Sequence, residues 1–346
     1  MARPRKALEQ ITNTLPSLVS ESKPPTHASQ QTPRTSESPS GRMEEEVMTP
    51  AETVATDVDN SVPMYVVPVT EVPEDIDQTD MDNPFTCSPY ANDAYQYLML
   101  IQGKLRPNPR YMAMQPQLNA RIRTYCIDWA VDLHRLLSQT YQTSLQADTL
   151  FITISIFDRF LSRKVVSYEK VYLLMLSCFF VASKFEETYY PSIEQLLKFC
   201  PEVGTKDELL KMERIILNEL RYSLGAPTAL TFLKRFAKAA HADSTVGMIA
   251  RFIAEYSLTS YSLTTTYLPS QIAAASISHA LRITGRPPWS ATLQHYTMMS
   301  YEDLLPILRE LKETVKKAPI QKTHAIFTKY SAIKYLRAAT IAVANI

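Results

Sequence analysis

The sequence predicts an all-α fold: two tandem sets of five helices, preceded by an N-terminal helix and a disordered N-terminal tail. Glycine is scarce, 6 in 346 residues, and about half of the 23 prolines fall before residue 90. That split separates a proline-rich leader from a glycine-poor helical body. The stretch from Val171 to Ser183 is almost wholly apolar or small, then turns abruptly to Lys184-Phe185-Glu186-Glu187. Such a run is too short to span a bilayer and reads as a helix buried on all sides. A second small and apolar run, Pro269 to Ile283, starts about 100 residues after Ser167. Two such runs, each amid amphipathic segments, are the pattern of an internal duplication.

The net charge of +1 conceals an asymmetry. Residues 1–83 hold 6 Lys+Arg and 15 Asp+Glu, net −9, and the rest hold 30 and 20, net +10. Local basic runs are short, which argues against direct nucleic-acid binding. Cys87, Cys126, Cys178 and Cys200 lie far apart, without metal-ligand spacing, and read as reduced thiols. The basic N-terminus has no apolar segment behind it, so no signal peptide is expected, and no stretch is long and apolar enough for a membrane span.

Residues 1–83 form the expected tail. No aromatic precedes Tyr65, and Ser, Thr, Pro, Gln and Glu dominate. Such a segment buries too little apolar surface to offset its ordering entropy. It carries Arg5, Leu8 and Asn13 in one short run, and Thr32-Pro33, Ser38-Pro39 and Thr49-Pro50 as candidate proline-directed phosphorylation sites.

The helices follow in order. Tyr90, Tyr97 and Ile101 sit in a helix from about Pro89 to Gln102, ended near Gly103, within an N-terminal segment 84–120 whose Pro107–Pro116 stretch should be extended. The next helix, Ala120 to Leu137, bears two apolar stripes. Ile122, Tyr125, Cys126 and Trp129 form one; Ile127, Ala130, Val131 and His134 form the other. Two stripes mean burial on both sides or an exposed patch that binds something. Arg123 and Asp128 are charges in this apolar setting and need partners. His134 has no second His or carboxylate pair to make a metal site. Helices are expected over Ser144–Ser162, from Ser167 through the central run, over Ser192–Phe199 and over Lys206–Leu220, where Glu213 reads as a solvated position. The glutamates closing the central helix oppose its dipole and call for a partner outside it. The second set reads as Thr228–Ala240, Val246–Tyr261, Pro269–Ile283, Ser290–Thr297 and Tyr301–Lys316. Irregular structure packed on the body, then a loose end, is expected from about Pro319.

Together these motifs resemble the cyclin family, and within it the B-type, G2/mitotic members. Arg123-Thr-Tyr-Cys-Ile-Asp128-Trp129 takes the place of the family's first-helix motif. Asp158-Arg159-Phe160-Leu161 and Ala182-Ser183-Lys184-Phe185-Glu186-Glu187 match the second and third signatures, and Met212-Glu213 the fifth. Pro269-Ser-Gln-Ile-Ala-Ala274 and Thr292-Leu-Gln-His-Tyr296 match the second box as B-type cyclins write it. The resemblance spans about Ser88 to Ser331 and implies two cyclin boxes, 121–225 and 226–318, with a C-terminal extension, 319–346.

The resemblance implies a function. The chain would bind and activate a cyclin-dependent protein kinase as a regulatory subunit, itself no enzyme and without cofactor, driving the G2/M transition in nucleus and cytoplasm. Lys184, Phe185, Glu213 and Tyr222 would contact the kinase. Ile122, Tyr125, Cys126, Trp129, Asp132, Val171 and Tyr172 would form a docking patch for substrate and inhibitor peptides. The family's usual Met, Ala, Ile and Leu of that motif are here Ile122, Thr124, Tyr125 and Cys126, which changes the groove's shape. Arg123 would pair with Asp158. Arg5, Leu8 and Asn13 resemble the destruction box read by the anaphase-promoting ubiquitin ligase. The chain shows no P-loop, kinase Gly-rich loop or nucleophile elbow, in keeping with catalysis supplied by the kinase. A transcriptional cyclin or a helical cyclin-box transcription factor is the alternative; the latter usually carries a zinc ribbon, which needs Cys pairs absent here.

Overall fold

A computed structural model describes residues 72–83, 86–141 and 145–346, all within one compact unit, Ser61–Ile346. Among the described residues every regular element is helical. The Arg5, Leu8 and Asn13 motif and the Ser/Thr-Pro pairs lie outside them.

After α1 (Ser88–Gln102), the first set comprises α2 (Ala120–Thr140), α3 (Ala147–Leu161), α4 (Val171–Glu186), α5 (Ile193–Phe199) and α6 (Lys206–Glu219). Side-chain caps start several of these helices. The Asn119 side chain accepts from the Ile122 amide, and Ser192 with Gln195 and Thr205 with Glu208 form reciprocal capping boxes ahead of α5 and α6. Every residue of α4 from Leu173 to Ser183 is buried. Its serines return their hydroxyls to the helix: Ser177 donates to the Leu173 carbonyl and Ser183 to that of Phe179, both at 2.8 Å. Small polar residues therefore sit in this core without an unmet hydrogen bond. The closing glutamate finds its partner on α3, as Glu187 Oε1 accepts from the Gln146 amide (2.7 Å) and from the Thr149 hydroxyl. A carboxylate that opposes the dipole of α4 thus caps the start of α3, where negative charge is favourable.

The second set comprises α7 (Ala229–Ala239), α8 (Ser244–Ser257), α9 (Tyr261–Thr266), α10 (Pro269–Ile283), α11 (Ala291–Thr297) and α12 (Tyr301–Lys316). Here α10 repeats the role of α4, buried without interruption from Ile272 to Leu281. The helix expected over Val246–Tyr261 is broken in two. Thr259 donates to the Tyr256 carbonyl and the Ser260 side chain accepts from the Leu263 amide, local bonds that compete with helix continuation. The break frees the carbonyls of Leu258 and Thr259 to face the first set.

Those carbonyls meet the central polar contact of the fold. Arg123 is 2 % exposed and grips Asp158 with two bonds, Nε–Oδ1 at 2.8 Å and Nη2–Oδ2 at 2.6 Å. Tyr111, fully buried in the connection expected to be merely extended, donates to the same Oδ1 at 2.7 Å. Arg123 Nη1 then crosses to the Leu258 carbonyl at 2.8 Å, and Thr124 Oγ1 to the Thr259 carbonyl at 2.9 Å. Burial by itself disfavours the charged guanidinium; the carboxylate of Asp158 overrides this and holds its pKa above the ordinary value.

Two regions read from composition as loose are ordered. In residues 72–80, Asp77 pairs with Arg235 (2.8 Å) and Lys238 (3.2 Å), and Asp80 with Lys238 (2.6 Å), on α7. The amides of Glu74 and Ile76 donate to Thr292 and Tyr296 on α11. This complementarity across some 160 residues is invisible to a composition count. Past residue 319 the chain forms α13 (Ala325–Ser331) and α14 (Ala338–Asn345), with Tyr330, Ala338, Ala339 and Ala342 fully buried. This corrects the expected irregular end. Its anchors are buried charges: Lys329 pairs with Glu255 of α8 at 2.6 Å, and the Tyr330 hydroxyl donates to the same carboxylate at 2.6 Å. Burial would raise the pKa of Glu255, but Lys329 and Tyr330 hold it below the ordinary range. Asp128 of α2 accepts from the Ala325 amide at 2.8 Å and so caps α13. Among the described residues no helix is long and apolar enough to cross a membrane.

Two predictions follow from these buried charges. Arg123→Ala leaves Asp158 buried without its cation, a loss of about 3–5 kcal/mol, and lowers the melting temperature by roughly 10 °C; a shift no larger than that of an exposed Lys→Ala control refutes the role assigned to the pair. For Asp128, burial raises the carboxyl pKa to about 7, with the nearby Asp132 adding to the rise. The folded state therefore holds a proton that the unfolded state releases near pH 4, so this group's contribution to stability falls as pH rises from about 4 and levels off above about 7. Asp128→Asn keeps an acceptor for Ala325 and removes that penalty. The variant's stability gain in urea titrations grows from near zero at pH 4 to roughly 2–4 kcal/mol at pH 8; a gain independent of pH contradicts the assignment.

Candidate functional site

The end of α4 builds the first candidate surface. Burial of the helix up to Ser183 brings Lys184 out at its last turn, where Nζ sits 4.5 Å above the Phe180 ring and pairs with Glu213 Oε1 of α6. Glu213 is not solvated as its helix position alone suggests. It is 6 % exposed, and Lys184 is its partner. The ion pair is thus internal to this chain and ties α4 to α6, leaving Lys184 half in solvent. Phe185 follows with 52 % exposure, against the backbone of Gly225, where a Cβ would stand 3.5 Å from its ring.

Tyr222 lies in the loop that leaves α6 and is 68 % exposed. Arg221 and Tyr222 are consecutive residues at positive φ, 51° and 56°. Bulky side chains adopt this left-handed region at a cost, and such outliers cluster where a surface is set for function. Residue-level reading missed Tyr189 (81 % exposed) and Tyr190 (50 %), of which Tyr190 packs edge-on to Phe180. Their signal was the aromatic pair between the helix end and Pro191. Phe185, Tyr189, Tyr190 and Tyr222 are thus large exposed aromatics in the segments that follow α4 and α6.

The second candidate surface is the outer stripe of α2. Ile122 and Tyr125 are half-buried. Cys126 is fully buried and its thiol is pushed up to about 12 by burial, so it is a neutral core group. Trp129 is 8 % exposed and meets the Tyr172 ring edge-on at 5.5 Å, while Val171 is fully buried. Asp132 is half-exposed and held by Arg135 at 2.8 Å. The expected patch therefore divides: Ile122, Tyr125, Tyr172 and Asp132 offer surface, and Cys126, Trp129 and Val171 support it from beneath. Among the described residues no cluster of His, Cys, Asp or Glu is arranged to hold a metal ion. His134 gives its Nε2 to the Gln146 carbonyl (2.9 Å), and burial lowers its pKa to about 4, so it stays neutral in the core.

Comparisons with known proteins identify the family. The cyclin N-terminal domain matches residues 93–225, and the cyclin C-terminal domain matches residues 227–344. The chain is 33 % identical over 287 residues to the G2/mitotic-specific cyclin-B of Marthasterias glacialis, across 83 % of this chain and 72 % of that protein. It is 32 % identical over 293 residues to the G2/mitotic-specific cyclin-B of Spisula solidissima, across 85 % of this chain and 67 % of that protein. Among solved structures, a viral cyclin from herpesvirus saimiri superposes with a TM-score of 0.57 at 19 % identity, covering 64 % of this chain and 96 % of that one, a likeness of fold. Two cyclin domains in tandem and a third of the residues shared with B-type relatives along most of the length lead to one conclusion: the chain belongs to the cyclin family, among its B-type, G2/mitotic members.

Proposed function

We propose that this chain is a regulatory subunit that binds and activates a cyclin-dependent protein kinase and so drives entry into mitosis. The observation that carries the proposal is the exposed group at the end of α4: Lys184, paired with Glu213 and followed by the exposed Phe185, with Tyr222 exposed in the loop after α6. A rigid, partly desolvated ion pair among exposed aromatics suits a lasting protein interface, whose energy concentrates in such anchors. Activation is allosteric. The surface favours the kinase state in which its Lys–Glu pair and activation segment are set for phosphoryl transfer, and the kinase supplies the catalysis.

The half-exposed residues of the α2 stripe fit a second role, docking of short substrate and inhibitor peptides that pair a basic with an apolar residue. Asp132 would take the basic residue, and Ile122, Tyr125 and Tyr172 the apolar one. The Arg5, Leu8 and Asn13 motif would expose the chain to the anaphase-promoting ubiquitin ligase, and the working compartments would be nucleus and cytoplasm.

Activation is tested with Lys184→Ala combined with Glu213→Ala. Removing both partners leaves no unpaired buried charge, so the helical circular-dichroism signal persists and the melting temperature falls only slightly, whereas Lys184→Ala alone strands Glu213. Kinase copurification drops by 30-fold or more, about the loss expected for truncated interfacial charges, and histone-type kinase activity falls with it. A folded double variant that still activates the kinase fully places the interface elsewhere. For turnover, Arg5→Ala with Leu8→Ala lengthens the half-life in cycling extracts several-fold at mitotic exit with kinase binding intact; an unchanged half-life removes the motif from the proposal.

A further inference from the structure

A cleft of about 840 Å³ opens beside the N-terminal end of α2, between it, the α8–α9 break and the connection from α12 to α13. Its charged lining is Arg121, Lys317 and Lys322, all exposed, and no carboxylate lines it. Several cations elsewhere on this surface are matched: Lys164 by Glu219, Lys170 by Glu208, Lys206 by Glu194, Lys234 by Asp148. Arg121 instead stacks 5.7 Å from the Tyr125 ring and shares its hydroxyl. Ile320, 83 % exposed, stands at the cleft beside Lys317 and Lys322. Three cations from two walls with no internal counter-charge call for an anionic guest spread along the cleft, since like charges held together are unfavourable until matched.

The cleft continues the α2 stripe. At 100° per residue, Arg121, Tyr125, Trp129 and Asp132 fall within about 80° of one another on the helix. Arg121 and Asp132 are eleven residues apart, roughly 16 Å along the axis at 1.5 Å per residue. The stripe therefore runs from an acidic end at Asp132, across the Tyr125 surface, to a basic end in the cleft. An extended peptide covers 16 Å in about five residues.

We propose that the cleft binds the acidic flank of a docking peptide: Asp or Glu residues lying about five positions from the basic residue that Asp132 receives. The inference deepens the docking role assigned to the α2 stripe and rests on it. It assigns this chain a substrate class, segments with a basic residue, an apolar residue and then a cluster of acids. Charge at an exposed rim adds modestly per pair, so three matched cations tighten binding about ten-fold at low salt.

The test is fluorescence anisotropy on the full chain with labelled synthetic peptides. One carries the basic and apolar residues with a neutral flank; others carry three aspartates or one phosphoserine at the five-residue position; a last carries the aspartates alone. The aspartate flank binds about ten-fold tighter than the neutral one, and the gain shrinks with added salt. Lys317→Ser with Lys322→Ser, both exposed, cuts the gain to about two-fold while the neutral-flank affinity stays the same. Tyr125→Ala weakens both peptides alike. A neutral-flank peptide that binds with no gain from aspartate overturns the inference and leaves docking standing. A gain from phosphoserine alone overturns it in favour of phosphorylated segments, and a gain that survives the double variant moves the site off the cleft. Binding of neither core peptide removes docking and this inference together, whereas tight binding of the aspartates alone keeps the cleft and removes the α2 stripe.

Discussion

The structure depends on one buried charge that cannot be left alone. Arg123 sits where no water reaches it, and the bidentate grip of Asp158 makes that position tenable. The same guanidinium reaches the Leu258 carbonyl in the second box, and the same carboxylate receives Tyr111 from the N-terminal connection. Hydrogen bonds with fixed direction thus set the register of α2, α3, the connection and the α8–α9 break. Hydrophobic burial supplies the bulk of the cohesion, but it is non-directional and would tolerate sliding. The polar contact adds direction to the packing of the two boxes, alongside the Thr124–Thr259 bond and the Lys234–Asp148 pair.

At the end of α4 the same economy serves a surface. Twelve buried residues fix the helix so firmly that the next side chains emerge in determined places. Glu187 is spent inside the fold on the start of α3, and Glu213 on orienting Lys184. Under the proposed function, Lys184 is oriented by Glu213 before any partner arrives and has less side-chain freedom to lose on binding. Lys184 and Glu213 would then serve the fold and the interface at once.

Much of this was legible in the sequence, unevenly. The central helices α4 and α10 declared themselves through uninterrupted apolar and small residues, and the duplication through their spacing. The kinase-facing and docking roles proposed for these surfaces rest on a resemblance carried by ordered motifs, since nothing in the spacing of Lys184 and Glu213 alone points to them. Burial of Cys126 and Val171 was not legible, because a stripe at helical spacing does not say which of its members turn inward. The ordering of residues 72–80, α13 and α14 escaped for a different reason: each is held by partners far away in sequence, Asp77 by Arg235 and Lys329 by Glu255. Composition reports what a segment can bury by itself, not what another segment offers it.

The long reach of the polar anchors has a consequence for how the chain must be made. Translation runs from the N-terminus, and early segments emerge first. Arg123 leaves the ribosome 135 residues before the Leu258 carbonyl it will bind, Glu255 74 residues before Lys329, and Asp128 197 residues before the Ala325 amide. Arg123 can meet Asp158 within the first box, but Asp128 and Glu255 must wait for partners that emerge later. Contacts of such separation slow the final closure, because loop entropy is lost before they form. A ribosome halted between Thr266 and Thr323 would hold a first box already containing Asp128 and a second containing Glu255, neither yet matched. The nascent protein is then recognisable as unfinished to any chaperone that reads exposed charge and unsealed apolar surface.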